Sequence, residues 1–297
     1  MQRRLFIKNA GIAGGMMVMS PLLGNKSAFR QDDFPLMDLH VHTAQNRTID
    51  NIMDIAKRTG VQFGIVVNPS TAAAPVAGAP GGAGTTGASA PGAAAGGVRD
   101  DASLKNYIDN LRPYPVYIGL QPMSPGWSKN FSPEALSQLD YVIMDPQTVP
   151  MGNGYDETLR IWNFDTYVDD TNKFMETYVA HSLEVLNNDE PINIFGWPLF
   201  LPVCIARDYY TLWTEERMQQ IISAAKKRNI AFEINDLAHT PHEQFINMAK
   251  EQDLKFTFGS DTRDQKTGRL DYCKYIAKKC NLTREDFFIP KRIIGKS

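Results

Sequence analysis

Short, nearly continuous apolar runs recur along the chain, separated by longer stretches in which apolar residues return every three or four positions. The runs at 36–42, 63–67, 116–121, 141–144, 192–195, 231–234 and 255–259 predict strands buried on both faces, as in a parallel sheet. Helices are expected between them. Thr48 is placed to cap one in which Ile49, Ile52, Ile55 and Ala56 form an apolar stripe, with Gly60 at its end. Ser132-Pro133-Glu134 starts another, with proline tolerated in the first turn. Thr214-Glu215-Glu216 starts a third, where Met218, Ile221, Ile222 and Ala225 recur at helical spacing. Two more begin near Pro241 and near Leu270. Roughly seven β-then-α units in succession argue for an α/β barrel or an open doubly wound sheet. In either architecture ligands gather at the C-terminal ends of the strands.

Two connections break this rhythm. Residues 70–97 are almost entirely Ala, Gly, Pro, Ser and Thr, with Val76 the only larger apolar side chain. So little apolar surface does not offset the entropy of ordering, which predicts a disordered loop after the second strand. Residues 146–164, containing Gly152-Asn153-Gly154, read as a surface loop or a lid.

Composition adds the compartment more than the chemistry. The 297 residues are 43% hydrophobic and 22% charged, with 31 basic against 33 acidic side chains, so no strong overall field attracts nucleic acid. At the start, Gln2-Arg3-Arg4-Leu5-Phe6-Ile7-Lys8 precedes a moderately apolar run over 10–23. A charged start and an apolar stretch too short for a stable anchor predict a twin-arginine signal peptide over residues 1–28. An uncleaved anchor is the alternative. The signal reading implies periplasmic or other extracytoplasmic delivery of an already folded domain spanning 36–295, without stable membrane insertion of the mature chain. Cys204, Cys273 and Cys280 are the only cysteines. Cys273 and Cys280 share a helix face but sit roughly 10 Å apart along it, so core thiols are expected rather than a bridge.

The strongest chemical signal is Asp38-Leu39-His40-Val41-His42-Thr43. Strand residues two apart face the same way, so His40 and His42 can point inward together near the end that carries a barrel's site. Two imidazoles are half of a transition-metal site. The run Phe256-Thr257-Phe258-Gly259-Ser260-Asp261 ends in a carboxylate that can reach the axis beside the first strand, for a total of three ligands. Glu233 and Asn235 share one strand face, and Asp145 follows the fourth apolar run as a further ligand or general base. Arg263 and Arg207 could pair an anionic group. His239 and His242 read as loop or helix-start histidines, and His181 as a structural one. Neither a phosphate loop nor a nucleophilic serine elbow is present.

On Asp38-Leu39-His40-Val41-His42-Thr43 and Gly259-Ser260-Asp261, the chain resembles the polymerase-and-histidinol-phosphatase (PHP) family of metal-dependent phosphoesterases. Glu233-Ile234-Asn235 and Phe195-Gly196-Trp197-Pro198 fall where that family has strand-end motifs. The resemblance spans roughly residues 36 to 290 and implies a distorted (β/α)7 barrel in which His40, His42 and Asp261 match metal ligands. It also exposes departures. Asn68 stands where the family has Asp-His, Gln121 replaces a carboxylate, and Asp145 and Trp197 replace histidines. Arg263 replaces the histidine two beyond the last aspartate.

These residues imply one divalent ion (zinc, manganese or iron) in place of a larger cluster. The leading expectation is a hydrolase, phosphoesterase-like, that attacks a small substrate through a water activated by that ion. Asp145 or Glu233 would move a proton, while Arg263, Trp197, Asn68 and Gln121 would contact substrate. The alternative is a non-catalytic binding protein for a small polar ligand, for which the aromatic and amide groups are equally suited. The residues give no oligomeric state.

Overall fold

Each of the seven apolar runs folds as a strand, since a segment with no polar face is stable only where both faces are covered. The computed structural model describes residues 34–44, 47–70, 97–152, 154–261 and 266–293. In chain order the first elements are β1 (Met37–Val41), α1 (Ile49–Thr59), β2 (Gln62–Val67), α2 (Asp101–Leu111), β3 (Tyr117–Leu120), α3 (Pro133–Leu136) and β4 (Tyr141–Met144). There follow β5 (Thr148–Gly152), β6 (Gly154–Arg160), α4 (Thr171–Asn187), β7 (Ile194–Phe195), α5 (Tyr209–Leu212) and α6 (Glu215–Arg228). The last are β8 (Ala231–Asn235), α7 (Glu243–Lys250), β9 (Phe256–Gly259) and α8 (Asp271–Lys279).

Among the described residues β1, β2, β3, β4, β7, β8 and β9 form one parallel sheet in that order. Just past β9, the Asp261 N–H donates to the His40 carbonyl at 2.9 Å and the Ser260 N–H donates to Asp38 Oδ1 at 2.9 Å. These bonds join the last strand to the first. The sheet therefore closes as a distorted barrel, and the doubly wound alternative falls.

Two apolar clusters hold it. The larger fills the space between sheet and helices, with Ile65, Ile118, Val142, Phe232 and Phe258 facing helix residues such as Ile52, Ile108, Ile222 and Phe245. The smaller is Met37, Leu39, Val66, Tyr141, Ile143, Ile194 and Ala231, contributed by strands that are not all neighbours, so it fills the barrel interior. Tyr141 lies across that interior. Its hydroxyl donates to the Leu39 carbonyl at 2.6 Å, and its ring occupies the room that Gly64 and Gly119 leave by having no side chain.

A bulge in β1 sets up the site. Met37 and Asp38 pair with Gln62 and Phe63, but Val41 pairs with Ile65, so the register slips by one residue between Asp38 and Val41. The extra residue resets the inward parity. Met37 and Leu39 pack in the interior, and His40 and His42 also turn inward above them.

The helices follow their sequence signals. Thr48 accepts from the Asn51 N–H in a reciprocal capping box, and Gly60 ends α1 at φ 74°, the left-handed region that glycine occupies freely. Thr214 caps α6, whose first turn carries Glu215 and Glu216 and whose last carries Lys226, Lys227 and Arg228, complementing the helix dipole. The helix expected at Ser132 is a single turn, because the chain must re-enter the barrel at Tyr141. Residues 146–164 are not an open loop: β5 and β6 pair there as an antiparallel hairpin, and α4 packs on β5.

The expected leader (1–28), the low-complexity segment within 70–97 and Arg263 lie outside the described residues, apart from Ser70 and Gly97 at the segment's edges. There the Ser70 N–H donates to the Val98 carbonyl at 2.7 Å. Among the described residues no helix is long and apolar enough to cross a membrane. Cys273 and Cys280 are buried free thiols and Cys204 is an exposed one.

Candidate metal centre

Strand alternation builds the site directly onto the interior cluster. Two residues past Val66 comes Asn68, past Gly119 Gln121, past Ile143 Asp145, past Ala231 Glu233 and then Asn235, and past Gly259 Asp261. The same inward face thus turns from apolar to polar at the C-terminal ends of the strands, where a parallel barrel carries its chemistry. His40, Gln121, Asp145, Glu233, Asn235 and Asp261 are all buried there.

His40, His42 and Asp261 come together, with one ligand atom of each lying within 4.8 Å of the others. Asp261 Oδ1 is 3.6 Å from His40 Nε2 and 3.5 Å from His42 Nε2. Those separations exceed a normal N–H···O bond. They match ligands that face one ion, since bonds of about 2.1 Å at tetrahedral angles place donor atoms roughly 3.4 Å apart.

Behind His40, Nδ1 lies 2.7 Å from Glu233 Oε1, and Glu233 Oε2 accepts the Trp197 backbone N–H at 2.7 Å. The carboxylate fixes the ring so that Nε2 faces the site, the arrangement by which an outer carboxylate orients a ligating histidine. His40 Nε2 is buried and meets no hydrogen-bond acceptor or donor among the described residues. Two imidazoles and a carboxylate, one ring locked by a second carboxylate, fit a divalent ion of the zinc, iron or manganese type.

Electrostatics agree with the geometry. Burial alone would lower the His40 pKa, but Asp261, Glu233 and Asp145 together push it up to about 10. The pocket therefore demands positive charge at that ring. Asp145 is raised well above the usual carboxylate range, first by burial and then by Asp261 and Glu233. Asp38 is raised to about 6 by burial, against hydrogen bonds from Ser260 that lower it.

On the other side of the mouth, Asn68 Nδ2 donates to the Gln121 carbonyl at 2.9 Å and to Gln121 Oε1 at 3.1 Å. Gln121 Nε2 then donates to Asp145 Oδ2 at 3.0 Å. Trp197 is buried at φ 43°, a backbone conformation uncommon outside glycine, which turns its N–H onto Glu233. Other residues raised by the sequence sit elsewhere. Arg207 is an exposed side chain beside Asp208. His242 stacks on Tyr209 and His239 on Tyr272, both in the connection after β8. His181 is buried within α4.

Three further contributors were assigned no role from the sequence. A β-carbon at Gly259 would lie 1.8 Å from Glu233 Oε1, so this glycine is the clearance through which the carboxylate reaches His40. Asp38 accepts from the Ser260 N–H and anchors the segment that presents Asp261. Arg47, buried, donates from Nε to the His42 carbonyl at 2.9 Å and from a terminal nitrogen to Thr267 at 2.6 Å. The acidic residue before His-x-His, and a glycine two before the strand-end aspartate, were the available hints.

No family model and no curated protein matches the chain. Among solved structures, the histidinol phosphate phosphatase of Lactococcus lactis, complexed with zinc, L-histidinol and phosphate, aligns with 84% of this chain and 94% of its own. The TM-score is 0.51 and the identity 15%. The two chains share one fold. It is the seven-stranded barrel of the polymerase-and-histidinol-phosphatase type, as the resemblance implied. Within that barrel type, the chemistry of this chain is read from its own strand ends.

Proposed function

We propose that the chain is a metal-dependent hydrolase of the phosphoesterase kind, acting on a small substrate at the C-terminal mouth of the barrel. The observation that carries this reading is the convergence of His40 Nε2, His42 and Asp261 with Glu233 locked behind His40. His40, His42 and Asp261 would hold one divalent ion. When bound, such an ion supplies Lewis acidity and lowers the pKa of water toward neutrality. The histidinol phosphate phosphatase with the same fold, complexed with zinc and phosphate, supports the choice of reaction class.

The chain's own residues then divide the remaining work. Glu233 is a positioning residue: both of its oxygens are committed, one to the His40 ring and one to the Trp197 N–H, so it holds the ring in a single tautomer. Asp145 is the group assigned to proton transfer. Gln121 holds its Oδ2, while Oδ1 is buried and meets no partner among the described residues. Burial favours the protonated form of this carboxyl, and Oδ1 is the atom from which that proton would pass to a leaving oxygen. Arg263, two residues past Asp261, is proposed to hold the anionic group of the substrate. The Arg3-Arg4 leader supports export of the folded domain.

The direct test is release of inorganic phosphate from a small alkyl phosphomonoester, glycerol 2-phosphate, with zinc or manganese added. Activity is expected to vanish with a chelator and to fall at least a hundredfold in Asp261→Asn. Metal-independent turnover, or an unaffected Asp261→Asn variant, would remove the basis for the proposal.

A further inference from the structure

The mouth of the barrel is not uniform. On one side stand His40, His42 and Asp261; on the other, the ends of β2, β3 and β4 carry Asn68, Gln121 and Asp145. The polarity of this second group is fixed from one end. The Gln121 main-chain carbonyl can only accept, so the atom of Asn68 lying 2.9 Å from it is the amide nitrogen. That same nitrogen lies 3.1 Å from the Gln121 side-chain amide, so the Gln121 oxygen faces Asn68 and its nitrogen faces Asp145. Each link orients the next. Gln121 Oε1 and Asp145 Oδ2, two oxygens that a second cation would need, are occupied by N–H donors.

Further polar atoms around the mouth are left to a ligand. Asp145 Oδ1 and Asn235 Nδ2 are buried and meet no hydrogen-bond partner among the described residues. One is a carboxyl oxygen and the other a donor. Unsatisfied buried polar groups of this kind point to an unseen partner, and a hydroxyl, able to donate and accept at once, answers both types.

We infer that the mouth is divided into a half that holds a single cation and a hydrogen-bonding half, Asn68–Gln121–Asp145, that takes the hydroxyl-bearing part of the substrate. The words substrate and phosphorylated rest on the phosphoester reading; the division itself stands on the hydrogen-bond pattern. The natural ligand is then a phosphorylated polyol or sugar-like alcohol rather than an apolar or aromatic ester.

Zinc titration of the chelator-stripped full chain, followed by calorimetry, tests the division. One ion per chain is expected, and N68D/Q121E should take up a second. Two ions on the unaltered chain, or one on a folded N68D/Q121E variant, would overturn the division; Q121E alone serves if circular dichroism shows the double variant unfolded. The recognition half is tested on the zinc-loaded chain with two phosphonates that cannot be hydrolysed, 3,4-dihydroxybutylphosphonate and butylphosphonate. The dihydroxy probe should bind at least tenfold more tightly, and Q121L should bring the two within about threefold of each other. Equal binding by the unaltered chain, or an unchanged ratio in Q121L, would overturn it. Neither readout requires turnover, so an inactive protein would count against the hydrolase reading alone.

Discussion

Replacing Gly259 by alanine puts the buried His40–Glu233 pair under direct test. The added β-carbon would sit 1.8 Å from Glu233 Oε1 and 2.8 Å from the His40 β-carbon. Strand β9 pairs with β8 on one side and is bonded to β1 at its end on the other, so the backbone has little freedom to withdraw. The Glu233 carboxylate must move instead, which breaks its 2.7 Å contacts with His40 Nδ1 and the Trp197 N–H. A hydrogen bond to a charged group contributes about 1.5–3 kcal/mol, and parting a buried ion pair costs about 3–5 kcal/mol. The two contacts share one carboxylate and are not additive, so about 3–5 kcal/mol of destabilisation is expected. That is a large share of a typical domain's roughly 5–15 kcal/mol. Loss of the ring's orienting partner should also weaken zinc binding about 10–100-fold. Urea unfolding of the metal-free chain reads the first effect and zinc titration the second. In a Glu233→Ala background the part of the cost that comes from the displaced carboxylate should disappear, leaving that of the 2.8 Å approach to the His40 β-carbon. A Gly259→Ala chain within about 1 kcal/mol of the parent, with unchanged zinc affinity, would refute the role given to this glycine.

Other consequences are open to equally simple measurement. His181 is buried in α4, and burial lowers its pKa from 6.5 to about 4. The folded state therefore favours the neutral ring: this stability is complete above pH 6.5 and is lost as pH falls from 6.5 to about 4, roughly 3 kcal/mol in all. Urea titrations across that range should show a shallower loss in His181→Leu than in the parent, and parallel curves would contradict the assignment. In the barrel interior a β-carbon at Gly64 would lie 2.3 Å from the Tyr141 hydroxyl oxygen, and one at Gly119 would lie 2.6 Å from its ring. Either alanine should cost about 1–3 kcal/mol by overpacking, and pairing it with Tyr141→Phe should recover part of the stability at Gly64, where Leu39 Cδ2 still lies 2.9 Å away, and none at Gly119. At the leader, Arg3→Lys/Arg4→Lys should leave a reporter fusion in the cytoplasm, and undiminished export of the fusion would count against a twin-arginine signal.

The fold was legible because the inward face of each strand keeps one period. Val66 to Asn68, Ile143 to Asp145 and Ala231 to Glu233 each mark, two residues apart, where the interior turns polar. His-x-His and the strand-end Asp261 could be read as partners for the same reason. The β1 bulge could not, since a one-residue slip against β2 is decided by how Leu39 and Tyr141 pack across the barrel. Nor could the bond from His40 to Glu233, residues 193 positions apart that only barrel closure brings together. The β5–β6 hairpin was hidden by Pro150, which argues against a strand interior and is tolerated in this two-stranded edge ladder. Gly259 was assigned no role from the sequence, because a glycine's clearance role depends on which side chain passes over it.

The central claim is that His40, His42 and Asp261 hold an ion, and its most direct test is the metal content of the full chain purified without chelators. The measurement is made beside a His40→Ala/His42→Ala variant shown by circular dichroism to be folded. Close to one divalent ion per chain, lost in the variant, is the expected result. A parent chain that carries no metal and takes up none, or a variant that keeps its full complement, would contradict it.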